Sequence, residues 1–194
     1  MNILTDYLPS SVNIGETSFD IVTDFRAGVS FFLMIETGED NIYKLCKPFF
    51  PNGIPLDIGG AVEAVLFFLR GGEITEDNTP KQSNKPSYSY SIDSEAIYAD
   101  FWRYYNIDLS QDELHWWTFR SLLMGLPEDS NFKMRIYYRT CTLRDLPKKE
   151  QKRIAKIRKE IEIKTVEKGV KLTLEQRNKQ MIDYVSRRSK ELRG

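Results

Sequence analysis

The chain has 194 residues, with 41% hydrophobic and 12% aromatic content and a formal net charge of zero, a globular composition that fits one domain with or without an appendage. Two cysteines, Cys46 and Cys141, and a single histidine exclude a disulfide framework and point to a reducing compartment. No apolar run approaches the roughly 18 residues of a membrane span, and Met1 to Asp6 offers neither the basic nor the apolar region of an export signal.

The first expected element is a short hairpin: Val12 and Ile14 alternate toward Gly15-Glu16, and Phe19 and Ile21 alternate away from it. Thr23-Asp24 then offers an N-cap for a helix from Phe25 to Glu36, closed by Gly38. A second helix is expected over 41–50, its end blurred by Pro48 and Pro51. A third, Ile58 to Leu69, is apolar almost all round and therefore buried, and Gly71-Gly72 ends it. From about 73 to 91 turn formers replace any apolar period, which reads as a mobile surface loop. Asp93 or Ser94 is expected to cap the next helix, with Ile97 and Phe101 inward and Asp100 and Arg103 outward. A tight turn at Asn106-Ile107-Asp108 makes an αα-hairpin with the helix that follows.

That following helix is expected to be the centre of the fold. Ser110 and Glu113 form a capping-box pair, and Gly125, as a left-handed cap, and Pro127 end it. Two apolar stripes carrying Trp116, Phe119 and Leu123 on one side and Trp117 on the other imply layers packed on both sides. Phe101, Trp102, His115, Trp116, Trp117 and Phe119 are the expected core. Ser130 caps one more helix to about Thr142, with Phe132, Ile136, Tyr137 and Tyr138 inward.

The composition then changes. Up to Thr142 there are 11 basic and 20 acidic residues, and from Leu143 onward 17 basic and 8 acidic. Residues 146–194 therefore read as a basic αα-hairpin appended to a helical core domain of residues 1–145. Its first helix, from Pro147 to about Val166, carries Ile154, Ile157 and Ile161 among Lys152, Lys156 and other cations. Its second opens on the Thr173/Gln176 capping box and carries Leu174, Met181 and Val185. Stripes this thin hold little core of their own, so the two helices are expected to pair with each other, the body or a partner. An acidic body and a basic tail also suit head-to-tail self-association. The fold class is mainly α, a helical bundle with a small N-terminal β-hairpin.

Catalytic and metal chemistry is expected to be absent. One histidine and two distant cysteines give no metal-ligand spacing. Gly59-Gly60 and Gly71-Gly72 lack the Lys-Ser/Thr of a phosphate loop, and there is no Gly-x-Ser-x-Gly. Lysines without interleaved aromatics would bind nucleic acid nonspecifically at best, and the acidic body opposes it.

Five runs carry a family resemblance: Ile97-Tyr98-Ala99-Asp100-Phe101, Tyr105-Asn106-Ile107-Asp108-Leu109, His115-Trp116-Trp117-Thr118-Phe119, Leu123-Met124-Gly125-Leu126-Pro127 and Met134 to Thr140. With Thr23-Asp24-Phe25-Arg26 after the hairpin, they resemble the bacteriophage gene product fifteen family of siphophages and prophages of Gram-positive bacteria, over roughly residues 1–145. Such genes lie beside the tape-measure gene. The resemblance implies a tail assembly chaperone that binds the tape-measure protein in the host bacterial cytoplasm, with no catalytic residue and no cofactor. The alternative it leaves open is a structural virion component, a connector or tail-completion protein.

Overall fold

The computed structural model of the protein describes residues 4–73 and 86–163. Over these it is mainly helical, with seven α-helices and one antiparallel hairpin, the expected class. Strands β1 (Ser11–Ile14) and β2 (Thr17–Asp20) pair in the register Val12↔Phe19 and Ile14↔Thr17. Gly15 permits the tight turn by taking φ 59°. Alternation sends Val12 and Ile14 into the core.

Helix α1 (Phe25–Glu36) starts where expected, its Asp24 carboxylate accepting from the Arg26 N–H at 2.8 Å. Helix α2 (Ile42–Cys46) gives way to a 3-10 turn, Lys47–Phe49, because Pro48 has no N–H to continue an α-helix. Helix α3 (Ile58–Leu69) has the expected bounds, and Gly71 and Gly72, at φ 78° and 79°, turn the chain away from it.

Residues 74–85, most of the expected loop, lie outside the described residues. Helix α4 (Tyr90–Tyr105) begins a turn earlier than Asp93, because Ser89 is its cap and accepts from the Ile92 N–H at 3.3 Å. Asn106 closes it in the left-handed conformation, φ 55°. Helix α5 (Trp116–Met124) is shorter than expected, and no capping box forms. Ser110 instead bonds the Asp108 carboxylate through its N–H (2.9 Å) and its hydroxyl (2.6 Å), while the His115 Nδ1 caps α5 by accepting from the Trp117 N–H at 3.1 Å. The connection 106–115 is thus a shaped link and not the turn of an αα-hairpin. Gly125 follows α5 at φ −80°, right-handed rather than left-handed.

Helix α6 (Asn131–Thr140), capped by Ser130, leads through a 3-10 turn (Leu143–Asp145) into α7 (Lys148–Glu160). Tyr137, expected inward, is exposed. Helix α7 ends short of Val166, and the second helix expected over 174–192 lies outside the described residues.

The core is aromatic and centres on α5. Phe119 stacks on Phe25 of α1 at 4.7 Å and on Phe101 of α4 at 5.1 Å between ring centroids. Offset stacking of this kind contributes about 0.5–1.5 kcal/mol per pair beyond burial. Around it α4 packs on α1 and α6, α3 on β1 and α2, and α7 on α6.

Candidate functional site

The start of α5 is a joint that three other segments share. The backbone of α1's first turn and α5's first turn exchange bonds, Phe25 N–H to Leu114 O (2.9 Å) and Trp116 N–H to Thr23 O (2.7 Å). The indoles of Trp116 and Trp117 donate to Leu69 O (3.0 Å) and Phe68 O (2.7 Å), and Arg120 donates to Arg70 O. They lie at the C-terminal end of α3, where carbonyls run short of intrahelical donors; Phe68 O also accepts from the Gly71 N–H at 3.0 Å. His115 completes the joint. Its Nδ1 accepts at the α5 cap, so the proton sits on Nε2, which donates to Pro9 O at 3.0 Å. Burial pushes its pKa below the usual histidine value, against the raising effect of the Pro9 carbonyl.

A second joint is built from carboxylates. Asp93 is wholly buried and accepts from Arg139 (2.6 and 2.8 Å), from Arg135 (3.2 Å) and from the Ser89 N–H (3.0 Å). Asp100, equally buried, accepts from the Asn131 N–H (3.2 Å), the Asn131 side-chain amide (3.0 Å) and the Phe132 N–H (2.7 Å), so a side chain of α4 caps α6. Glu36 at the end of α1 does the same for α4, accepting from the Tyr90 N–H (2.8 Å) and the hydroxyls of Ser89 and Ser91. Asp93, expected as a possible cap of α4, and Asp100, expected outward, are instead both buried within that helix. The earlier start of α4 makes Asp93 helical, and at i,i+4 and i,i+3 spacing Asp93, Ile97 and Asp100 then share the inward face with Phe101. Of the arginines, Arg135 and Arg139 take Asp93, while Arg120 faces Glu73 at 3.6 Å. The signal was present: Asp93 and Asp100 share a helical face, and Arg135 and Arg139 are one turn apart.

Phe101, Trp116, Trp117 and Phe119 are buried, and His115 is half-buried. Trp102 is not core: it is 52% exposed. One residue beyond Phe101 is a rotation of about 100°, which carries the indole off the inward face. Tyr98, one turn earlier, is also exposed.

The expected partner-binding residues divide. Ile154 (1% exposed) and Ile161 (7%) are spent on the chain itself, because α7 lies against α6. Arg139 donates to Ile161 O at 2.9 Å, and Arg158 to Tyr138 O and Cys141 O, which fixes that packing. Ile157 is half-buried. Lys152 and Lys156 are exposed, with Lys148, Lys149, Arg153 and Lys159 beside them. Leu174, Met181 and Val185 lie outside the described residues.

One groove, of about 360 Å³, opens between β1 and α3; Gly60, Ala64, Phe67 and Glu63 are among its lining residues. Among the described residues no group of three His, Cys, Asp or Glu side chains is placed to hold a metal ion. No helix among them is long and apolar enough to cross a membrane.

Helices that cap one another through carboxylates, around an aromatic centre and beside a small hairpin, define a mainly α domain with cationic and aromatic side chains on its outer surface. The chain matches the family described as Bacteriophage Gp15 protein over residues 4–163 and belongs to it. The match extends through α7, past the 145 residues that carried the resemblance. No curated protein and no solved structure matches the chain.

Proposed function

We propose that this phage morphogenesis protein is a tail assembly chaperone, working by binding rather than catalysis in the host bacterial cytoplasm. In this reading it coats the tape-measure protein while tail-tube subunits polymerise around it. The observation that carries the reading is the exposed pair Tyr98 and Trp102 (41% and 52%) on the outer face of α4. Four-residue spacing of aromatics on a rigid helix suits the apolar stripe of a partner helix. Trp is the side chain most often found to dominate such contacts. A tape-measure chain, long, helical and apolar along one side, supplies that stripe many times over.

Co-expression with the tape-measure protein of the same phage tests this. The expected result is that tape measure stays in solution with many copies of this chain bound. Trp102→Ala should cut its recovery at least tenfold, a loss of about 1.4 kcal/mol or more per site. The substitution leaves the fold intact because the indole is outside the core. Precipitation of tape measure regardless of this chain, with the chain itself recovered stoichiometrically from purified particles by mass spectrometry, would replace the chaperone with a virion component.

A further inference from the structure

We propose that the groove between β1 and α3 receives the cationic face of α7 from a second copy of this chain, so that copies join head to tail. One wall of the groove is β1, whose only strand partner among the described residues is β2. Its lining includes Gly60, Ala64 and the half-exposed ring of Phe67, and among its lining residues the only charged side chain is Glu63. The turn residue Glu16 stands next to Gly15 of that lining, and Asp57 next to Gly60, both solvent-exposed. Glu16, Asp57 and Glu63 form no salt bridge among the described residues. The groove therefore combines apolar lining at Ala64 and Phe67 and polar lining at Ser11 and Asn13 with anions at Glu63 and the rim.

Helix α7 is the complement. Lys148, Lys152, Lys156 and Lys159 follow one another at four, four and three residues on its exposed side, and none of them is in a salt bridge among the described residues. Lysine stems are apolar and their ammonium groups reach several ångströms further. Stems lying over Phe67 and Ala64 place the charges at Glu16, Asp57 and Glu63. A chain cannot do this to itself: its own α7 is clamped on α6 by Ile154, Ile161 and Arg158, whereas the groove belongs to β1 and α3. The contact joins two different surfaces, so it repeats from copy to copy and builds a ring or a filament. It is independent of the chaperone reading, since it involves this chain alone.

Sedimentation velocity of the full chain over a concentration series, at low and high salt, reads the association directly. Species larger than a dimer are expected at low salt, and added salt should return them to monomer. Reversing the groove (Glu16→Lys with Glu63→Lys) or the helix (Lys152→Glu with Lys156→Glu) should each leave a monomer. Mixing the two reversed proteins should restore large species, which only folded, complementary copies can form. A wild-type chain that stays monomeric at low salt, reversed variants that assemble as it does, or a mixture that fails to reassemble would each overturn the proposal.

Discussion

At the scale of single residues, the chain commits charge to its interior where a neutral side chain would cost less to bury. Arg139 is 9% exposed and Asp93 not at all, so neither can be rescued by water if the other is lost. Asp93→Ala should destabilise the protein by about 3–5 kcal/mol, because two guanidiniums then converge on an apolar hole. Urea denaturation followed by tryptophan fluorescence measures it. Replacing Arg139 by Met as well should recover part of the loss; if the double variant is no better than the single one, the pairing is not the cause. His115 makes a separate statement about pH. The folded state holds it neutral, with a pKa below the usual value, while the unfolded chain titrates near ~6.5. The unfolded state therefore binds more protons below that pH, and the stability due to this residue is complete above it and lost as the pH falls toward the folded pKa. His115→Asn keeps a capping acceptor and removes the titration. Its urea midpoint should vary less than the wild type's between neutral and mildly acid pH, and parallel curves would refute the cap assignment.

Between elements, what the sequence made legible was periodicity, and what it hid was which of several local caps is used. The bounds of α1 and α3 follow from Asp24, Gly38 and the Gly71-Gly72 pair, since local caps decide them. The start of α4 does not, because the four serines and one aspartate from Ser87 to Ser94 are all competent caps. The choice of Ser89 is made by Glu36, more than fifty residues away in sequence. That choice brings Asp93 into the helix, on the face that Ile97 and Asp100 already share and from which both carboxylates reach α6; Trp102 falls outward on the same helix. The α5 start was likewise misplaced by a plausible local pair, Ser110 and Glu113, while the actual cap, His115, is fixed by tertiary bonds to Pro9 and by the bridge to Asp24. The same joint explains a glycine within α1. A Cβ on Gly28 would lie 2.4 Å from the Trp116 ring, which is itself locked by its bond to Leu69 O. Gly28→Ala should thus cost about 1–3 kcal/mol through overpacking, despite alanine's better helix propensity. A rise in thermal stability would mean that the α1–α5 contact is looser than described.

Over the whole molecule, α7 belongs to the body rather than hanging from it as a tail. The sequence argues for a tail, because its charge reverses sign after Thr142 and its apolar stripe is thin. The contacts argue for integration. Ile154 is 1% exposed, and Arg139 binds Asp93 of α4, Ser87 O and Ile161 O at once. Loss of α7 would therefore free the same guanidinium that neutralises the buried carboxylate, which couples the last described helix to the centre. Ile154→Ala tests the two cases through the position of the tryptophans. Truncating a buried isoleucine costs about 2–5 kcal/mol wherever it is felt. Trp116 and Trp117 are buried at the joint with α3, which the order of packing separates from α7 by α6 and α4. If α7 is integral, the fluorescence midpoint in urea should fall with the far-ultraviolet circular dichroism midpoint, in one transition. If α7 is a tail, the dichroism should acquire an early phase of helix loss and the fluorescence midpoint should stay where it is. The shared arginine favours the single transition, and with it a surface whose cations are held rigidly in place for whatever they bind.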